Sequence, residues 1–282
     1  MYLFEVFAAN NWLLFIFVFI LGLVVGSFLN VVILRYPKIL KFEWEKECSE
    51  FLNKSFKKSK PPGLVLSRSH CGECKSQLKS WHNIPLFSYL FLRGKCAFCD
   101  KSISFRYPLV ELITGLLSLF LAYKFGYGIQ LIAALILLWF LVVITGIDID
   151  TYLIPDQLSL TILWIGLFVS LFDVFVPVEK AVVGALFGYL SLWLVFWVFK
   201  FITGKDGMGY GDFKLLSAGG AWLGAEHLTV VLFIASVSGL IAAIIGRMAG
   251  GSASKIPFGP YLSVGIFVTL IYGEHLLNGY MA

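Results

Sequence analysis

Two acidic side chains stand at the edges of hydrophobic segments, where an ionised group is costly and for that reason usually functional. Asp148 ends one apolar run, and Asp212 closes a Gly209-x-Gly211-Asp212 sequence at the start of another. Two carboxylates that share one proton can cleave an amide, because the ionised one activates a water and the protonated one donates to the carbonyl oxygen. The residues therefore predict aspartic peptidase chemistry, provided that the two segments meet.

Three aspartates near the first hydrophobic segment are candidates for the catalytic acid on that side: Asp148, Asp150 and Asp156. Asp148 directly follows the apolar run and is the most easily buried, but spacing alone does not decide between Asp148 and Asp150. Asp156 precedes a hydrophobic helix, and capping of that helix is its simpler interpretation. On the second segment, Gly-x-Gly-Asp by itself is also typical of an ordinary loop. Lys214 either tunes the acidity of Asp212 or extends toward lipid headgroups.

Four of the five cysteines form two pairs, Cys71-x-x-Cys74 and Cys96-x-x-Cys99, with 21 residues between the pairs. This spacing predicts a tetrahedral zinc site with four thiolate ligands. Such a site has no open coordination position, so we expect the zinc to be structural. The alternative is a set of unmetallated or redox-active thiols, and Cys48 lies outside the pattern.

The composition excludes a water-soluble globule, since 59% of the residues are hydrophobic and only 14% are charged, against about 25% charged in soluble domains. The sequence predicts an all-α polytopic membrane protein. Eight hydrophobic segments are long enough to span or enter a bilayer, and they cover residues 12–34, 108–124, 129–147, 157–175, 179–201, 213–225, 227–247 and 259–277.

Basic residues predict the orientation of these segments, because loops rich in lysine and arginine stay in the cytoplasm. Residues 1–34 contain none, whereas residues 35–107 contain 15 of the 22. When the eight spans are counted forward from the N-terminus, 20 of the 22 lysine and arginine residues lie on the cytoplasmic side. The exceptions are Lys124 and Lys180. We therefore expect an outside N-terminus, cytoplasmic aspartates, and three parts: an N-terminal transmembrane helix (1–34), a cytoplasmic zinc-binding domain (35–107) and a seven-helix membrane domain (108–282).

The helix that begins near Asp212 is short. Only 14 residues separate Asp212 from Glu226, the next acid, which is about 21 Å of helix against about 30 Å of hydrocarbon. If Glu226 lies at the outer interface, Asp212 lies below the inner surface of the bilayer. Gly219 and Gly220 allow the close helix packing that would bury it.

Three further features have two interpretations each. Glu111 lies one turn into a helix and needs a partner, for which Arg106, Lys214 and Arg35 are candidates; it either has a structural or substrate-leader role or is an acid at the lipid interface. Asn30 belongs to a small polar stripe that either packs helices or hydrogen-bonds a substrate helix. The residues from Pro257 to Gly259 are expected to break the backbone beside the active site.

Taken together, these motifs resemble the type IV prepilin peptidases, which are bacterial leader peptidases and N-methyltransferases. The resemblance covers nearly the whole chain, and its motifs occur in order: Gly26-Ser27-Phe28-Leu29-Asn30, both cysteine pairs, Asn83-Ile84-Pro85, Arg93-Gly94-Lys95-Cys96, Arg106-Tyr107-Pro108-Leu109-Val110-Glu111, Ile147-Asp148, Gly207-Met208-Gly209-Tyr210-Gly211-Asp212-Phe213-Lys214 and Ile256-Pro257-Phe258-Gly259-Pro260.

The resemblance implies that Asp148 and Asp212 are the catalytic pair in a multi-pass protein of the bacterial inner membrane. It implies cleavage of prepilins and pseudopilins after the glycine that ends a short basic leader. It also implies methylation of the new N-terminal residue by S-adenosylmethionine, associated with the amino-terminal half, although the sequence contains no Rossmann glycine fingerprint. We expect the lipid bilayer as a partner and no nucleic acid.

Two other classes of function remain open from the residues alone. A proton-coupled transporter would use the same acids as a relay, although the chain lacks the internal repeat typical of many transporters. A zinc-bearing membrane scaffold would not need the acids at all. Ion flux in liposomes distinguishes the transporter, and free replacement of the aspartates distinguishes the scaffold.

Overall fold

The computed structural model describes residues 10–65, 70–71, 73–74, 76–77, 81, 84–248 and 256–281. Within these ranges the chain is helical and contains no strand. The helices, in chain order, are α1 (Asn11–Phe51), α2 (Phe87–Phe91), α3 (Arg106–Phe125), α4 (Ile129–Thr151), α5 (Asp156–Ser170), α6 (Val178–Thr203), α7 (Tyr210–Leu223), a 3₁₀ turn (Ala225–His227), α8 (Leu228–Met248) and α9 (Gly259–Met281).

Helices occupy all eight of the predicted hydrophobic segments. Six of them are long and apolar enough to cross a membrane, namely α1, α3, α4, α6, α8 with its preceding turn, and α9. The other two are shorter, because α5 has 15 residues and ends at Ser170, before the predicted limit of 175, and α7 has 14 residues. The chain is therefore a polytopic membrane protein with six membrane-length helices among the described residues.

Helix α1 is longer than its hydrophobic part. It begins after Asn10, whose side chain accepts a hydrogen bond from the Trp12 N–H, and it runs for 41 residues. The helix contains Pro37 and continues past residue 34, where the transmembrane helix was predicted to end. The charged residues 43–50 extend this first helix.

The chain forms two compact units, Met1–Leu131 and Ile132–Ala282. In the first unit, α1 packs closely against α3 through residues with small side chains. A Cβ atom added to Gly22 would lie 2.9 Å from the Gly115 Cα, and one added to Gly26 would lie 2.9 Å from the Glu111 Cα. The predicted packing role of the small stripe on α1 is confirmed, because only glycine permits this approach.

In the second unit, α7 is a buried central helix. All of its residues from Asp212 to Leu223 except Lys214 are buried. The backbones of Gly184 on α6 and Gly220 on α7 touch, and a Cβ atom on Gly219 would lie 2.8 Å from Ile266 on α9. The expectation that these two glycines of α7 allow close packing is confirmed.

A tryptophan joins α7 to α5. The Trp222 indole N–H donates a 2.9 Å hydrogen bond to the Ile162 carbonyl, and the ring lies where a side chain on Gly166 would stand, 2.6 Å from its Cβ position. Trp222 is 1% exposed. Because a buried indole N–H requires an acceptor, this contact fixes the rotation of α7 relative to α5.

Candidate active site and metal centre

The first turn of α7 explains the spacing of Gly209 and Asp212. Gly209 is the N-cap of the helix, so Asp212 is its third helical residue. The Gly209 N–H donates back to the Asp212 carboxylate, as the acidic residue of a capping box does. Asp212 is only 7% exposed. Local helix chemistry therefore fixes a buried carboxylate at the start of the central helix.

The two glycines of this motif have different environments, and neither has a positive φ. A Cβ atom on Gly211 would lie 2.7 Å from the Ile154 Cβ, so this position requires close backbone approach. A Cβ atom on Gly209 would meet nothing closer than the Asp212 Oδ2, at 3.7 Å. Gly209 therefore leaves open space beside the carboxylate.

Aromatic rings from α6 hold the start of α7. Phe213 is fully buried, and its ring centroid lies 5.6 Å from that of Phe196 and 5.9 Å from that of Tyr189. Tyr210 also packs on Phe196, at 5.2 Å. Because these residues flank Asp212 along the chain, their packing limits the movement of its backbone.

Asp148 lies in the last turn of α4 and is 4% exposed, whereas Asp150 is exposed. The Gly259 N–H donates a 2.9 Å hydrogen bond to Asp148 Oδ2. Gly259 is the first residue of α9, so the carboxylate faces a helix N-terminus, which favours negative charge. The predicted start of the last helix at Gly259 is confirmed, and the N–H of this residue is the donor to Asp148.

Asp148 and Asp212 lie close enough to interact electrostatically. Ile154 packs between their two segments, because it contacts Gly211 and its Cδ1 would lie 3.0 Å from a Cβ atom on Gly259. Sequence analysis missed Ile154, since an apolar residue in an acidic loop carries no chemical signal. The structure thus brings together the residues that the first two motifs predicted.

Lys214 has a different partner from those expected. Its Nζ lies 2.6 Å from Asp156 Oδ1. The predicted N-cap role of Asp156 is wrong, because Pro155 is the N-cap of α5 and Asp156 is its first residue. This ion pair joins the start of α5 to the first turn of α7.

Glu111 lies in the first unit and is 8% exposed. Its Oε2 accepts a 2.9 Å hydrogen bond from the Leu86 N–H, and the Ser27 hydroxyl also donates to its carboxylate. Both donors are electrically neutral, whereas a cationic partner was expected from the sequence. Asn30 lies nearby on α1, and its Nδ2 donates to the Tyr107 carbonyl at 3.1 Å.

The four paired cysteines converge in the first unit. The sulfur atoms of Cys71, Cys74, Cys96 and Cys99 lie within 4.8 Å of one another, and all four are free thiols. The Cys71 and Cys99 sulfurs are 3.8 Å apart, close to the separation of about 3.8 Å that a tetrahedron with 2.3 Å zinc–sulfur bonds requires. The donor set and its dimensions therefore fit a single metal ion.

The two cysteine pairs lie in turns of the same geometry. The Cys71 N–H donates to the Ser76 carbonyl and the Cys96 N–H to the Lys101 carbonyl, five residues on in each case. Hydrogen bonds from Ser76 lower the pKa of Cys74 to about 6. Backbone hydrogen bonds, led by that from Phe98, lower the pKa of Cys96. Both effects favour the thiolate that binds a metal.

The helical membrane core and its two interacting buried carboxylates are the arrangement expected of a membrane protein of the aspartic peptidase class. Comparison with known families agrees with this class. The family model described as "Bacterial Peptidase A24 N-terminal domain" matches residues 20–125, and the one described as "Type IV leader peptidase family" matches residues 135–244. The chain belongs to the type IV leader peptidase family.

Proteins named "Prepilin leader peptidase/N-methyltransferase" are similar over nearly their full length. The protein from Stutzerimonas stutzeri is 46% identical over 98% of this chain and 96% of its own. Those from Pseudomonas aeruginosa and Legionella pneumophila are 46% and 42% identical, over 93% and 96% of this chain and 91% and 95% of their own. No solved structure matches the chain.

Proposed function

We propose that the chain is a prepilin leader peptidase and N-methyltransferase, with Asp148 and Asp212 as the catalytic pair. The observation that carries this proposal is the pairing of two buried acids, each of which accepts a backbone N–H at a helix terminus. The name of the similar proteins, prepilin leader peptidase/N-methyltransferase, supplies the substrate class and the second activity.

Cleavage requires the two acids to have different protonation states, because like charges at close range cannot both ionise. The ionised acid takes a proton from the attacking water, and the protonated acid donates to the carbonyl oxygen of the scissile bond. The Gly259 N–H favours the ionised form of Asp148, and the Gly209 N–H favours the ionised form of Asp212. The two acids are therefore proposed to share one proton, so that one acts as the base while the other acts as the acid.

The substrate is expected to approach through the open space beside Gly209. The scissile peptide bond follows the glycine that ends the short basic leader. In prepilins and pseudopilins the hydrophobic helix begins directly after this bond. Ile154 occupies the space beside Gly211, so Gly211 is proposed to shape the loop. Lys214 holds the same loop to α5 through its ion pair with Asp156. The site residues thus divide into those that react and those that position the loop.

The membrane arrangement that fits this function has eight helices in the bilayer, including the short α5 and α7. The N-terminus is outside, and the zinc-binding segment 35–107 and both aspartates face the cytoplasm of a bacterial inner membrane. The distribution of basic residues supports this orientation. The 14-residue length of α7 and its burial support a position of Asp212 below the membrane surface, inside the lipid bilayer.

The second activity transfers a methyl group from S-adenosylmethionine to the new N-terminus of the substrate. The metal bound by the four cysteines is proposed to be zinc, whose tetrahedral preference matches the ligand set. With four thiolates it has no open position, so its contribution is to hold the cysteine-bearing segment in shape. Peptide cleavage itself is assigned to Asp148 and Asp212.

The test is incubation of the purified protein with a synthetic peptide that carries a basic leader, glycine and phenylalanine, followed by mass spectrometry. Asp148→Asn and Asp212→Asn should each lower the cleavage rate by about 100- to 10,000-fold, as expected for loss of an acid or base. Asp150→Asn, a matched change two residues from Asp148, should leave the rate within about threefold of normal. Full cleavage by either active-site variant would refute the proposed pair.

A further inference from the structure

The described part of the chain buries three acidic side chains, Glu111, Asp148 and Asp212. Two of them lie in the second compact unit and account for peptide cleavage. Glu111 lies in the first unit and is 8% exposed, and the proposed cleavage step does not use it. A third buried carboxylate in a protein with a second activity therefore needs its own explanation.

The partners of Glu111 satisfy hydrogen bonds but leave its charge uncompensated. The Leu86 N–H and the Ser27 hydroxyl both donate to the carboxylate, and both are neutral. Among the described residues, Glu111 forms no ion pair. A buried carboxylate is costly unless a cation meets it, and two neutral donors fill only part of its acceptor capacity.

The surroundings of Glu111 hold the carboxylate in one place. Gly26 allows the backbone of α1 to approach the Glu111 Cα, and Asn30 ties α1 to the first turn of α3 through the Tyr107 carbonyl. Leu86 has φ 59°, a conformation that is costly for a leucine, and its N–H points at the acid. A rigid anionic group with unfilled acceptor capacity is what an ammonium ligand requires.

We propose that Glu111 binds the N-terminal ammonium group that is methylated and removes its proton. The proposal rests on the proposed methyltransferase function and deepens it by naming the residue that receives the amine. An N-methyltransferase acts on an amine, and an α-ammonium group loses its proton only near pH 8. A carboxylate that orients this group and takes its proton gives the neutral amine that can react.

In the proposed methyl transfer, Glu111 first accepts one proton from the ammonium, which leaves the nitrogen lone pair free. The nitrogen forms a bond to the methyl carbon of the sulfonium donor, and the carbon–sulfur bond breaks with its electrons going to sulfur. The methylated ammonium carries the positive charge that the sulfonium lost, and the proton leaves Glu111 to solvent.

A structural role for Glu111 predicts different results from a chemical one. Glu111→Gln keeps an oxygen that can accept from the Leu86 N–H but removes the negative charge and the base. Glu111→Leu removes both. If the residue only holds Leu86, the glutamine variant should resemble the normal protein and the leucine variant should not. If the charge matters, both variants should fail.

The experiment uses the full-length protein, S-adenosylmethionine and a peptide that already begins with the free phenylalanine, so that methylation is measured without cleavage. At pH 7, Glu111→Gln should methylate about 10- to 100-fold more slowly than the normal protein. Its rate should recover as pH rises toward 8.5, since the peptide amine then loses its proton unaided. Glu47→Gln, at an exposed position on α1, should behave as the normal protein does.

Two readouts other than methylation complete the test. The normal protein should bind the free-amine peptide at least about tenfold more tightly than its N-acetylated form, and Glu111→Gln should lose this preference. Cleavage of the leader-bearing peptide by Glu111→Gln should stay within about threefold of normal. Normal methylation by Glu111→Gln at pH 7, no recovery at high pH, or an unchanged amine preference would each overturn the proposal. Absence of methylation by the normal protein at every pH would instead refute the proposed methyltransferase function.

Discussion

The two compact units hold their buried acids by different means. In the second unit, Asp148 and Asp212 lie at helix termini and accept backbone N–H groups of Gly259 and Gly209. In the first unit, Glu111 lies inside α3 and accepts from the backbone of Leu86, in a segment flanked by the two cysteine pairs. One arrangement depends on helix packing, and the other depends on a loop.

This difference indicates where each unit is sensitive to change. The aspartates are positioned by glycine contacts and aromatic packing along α7, and these interactions need no metal. The position of Leu86 depends on the segment between the two cysteine pairs. Helix α2 in this segment has no buried residue. We therefore expect cleavage to respond to core packing, and methylation to respond to the metal.

The largest effect is expected where the second unit is most tightly packed. Gly220→Ala would place a methyl group against the Gly184 carbonyl, and the helices would have to separate. Such overpacking costs about 1–3 kcal/mol or more, so the unfolding midpoint should fall by at least about 5 °C and cleavage by at least about tenfold. Thermal unfolding in detergent and the peptide assay measure both.

The matched control for that change is Gly246→Ala on α8, where nothing lies within 4 Å of the added Cβ atom. Alanine also has the higher helix propensity, so this variant should be at least as stable as the normal protein. Equal stability of the two variants would show that glycine contacts do not determine the packing of α7.

An intermediate effect is expected from loss of the metal. The purified protein should contain about one zinc ion, which the double variant Cys71→Ser, Cys96→Ser should lose. Amide exchange should then increase at Asp100 and Ile103, whose N–H groups are bonded within this segment. Amides of α7 should stay protected, and methylation should fall more than cleavage.

Cys48→Ser is the control for the metal experiment, because Cys48 is exposed on α1 and lies outside the cluster. It should retain zinc and both activities. Equal loss of cleavage and methylation in the double variant would contradict the separation of the two units that the comparison implies.

The smallest effect is expected at the ion pair between Lys214 and Asp156. The Lys214 side chain is 24% exposed and that of Asp156 is 55% exposed, so solvent weakens the attraction and the pair should contribute no more than about 1 kcal/mol. Lys214→Met should lower cleavage by about two- to fivefold. Lys180→Met, which breaks a more exposed pair with Glu226, should have less effect, and the reverse order would contradict a positioning role for Lys214.

Local signals in the sequence predicted many of the elements. Hydrophobic runs located eight of the helices, and six of these helices are long and apolar enough to cross a membrane. Gly219 and Gly220 predicted close packing of α7, and the start of α9 was expected at Pro257 to Gly259. The extension of α1 to Phe51 was missed, because a charged segment after Pro37 resembles a separate surface helix.

The sequence by itself determined the kinds of group available: carboxylates beside hydrophobic runs, two cysteine pairs with metal-ligand spacing, and glycines where helices touch. These are local features, and residue type and spacing are sufficient to predict them. Only the tertiary structure decided the partners. Asp148 is buried whereas Asp150 is exposed, Asp156 pairs with Lys214, and Glu111 meets Leu86 and Ser27. Such contacts join residues distant along the chain, and their geometry follows from the packing of whole helices.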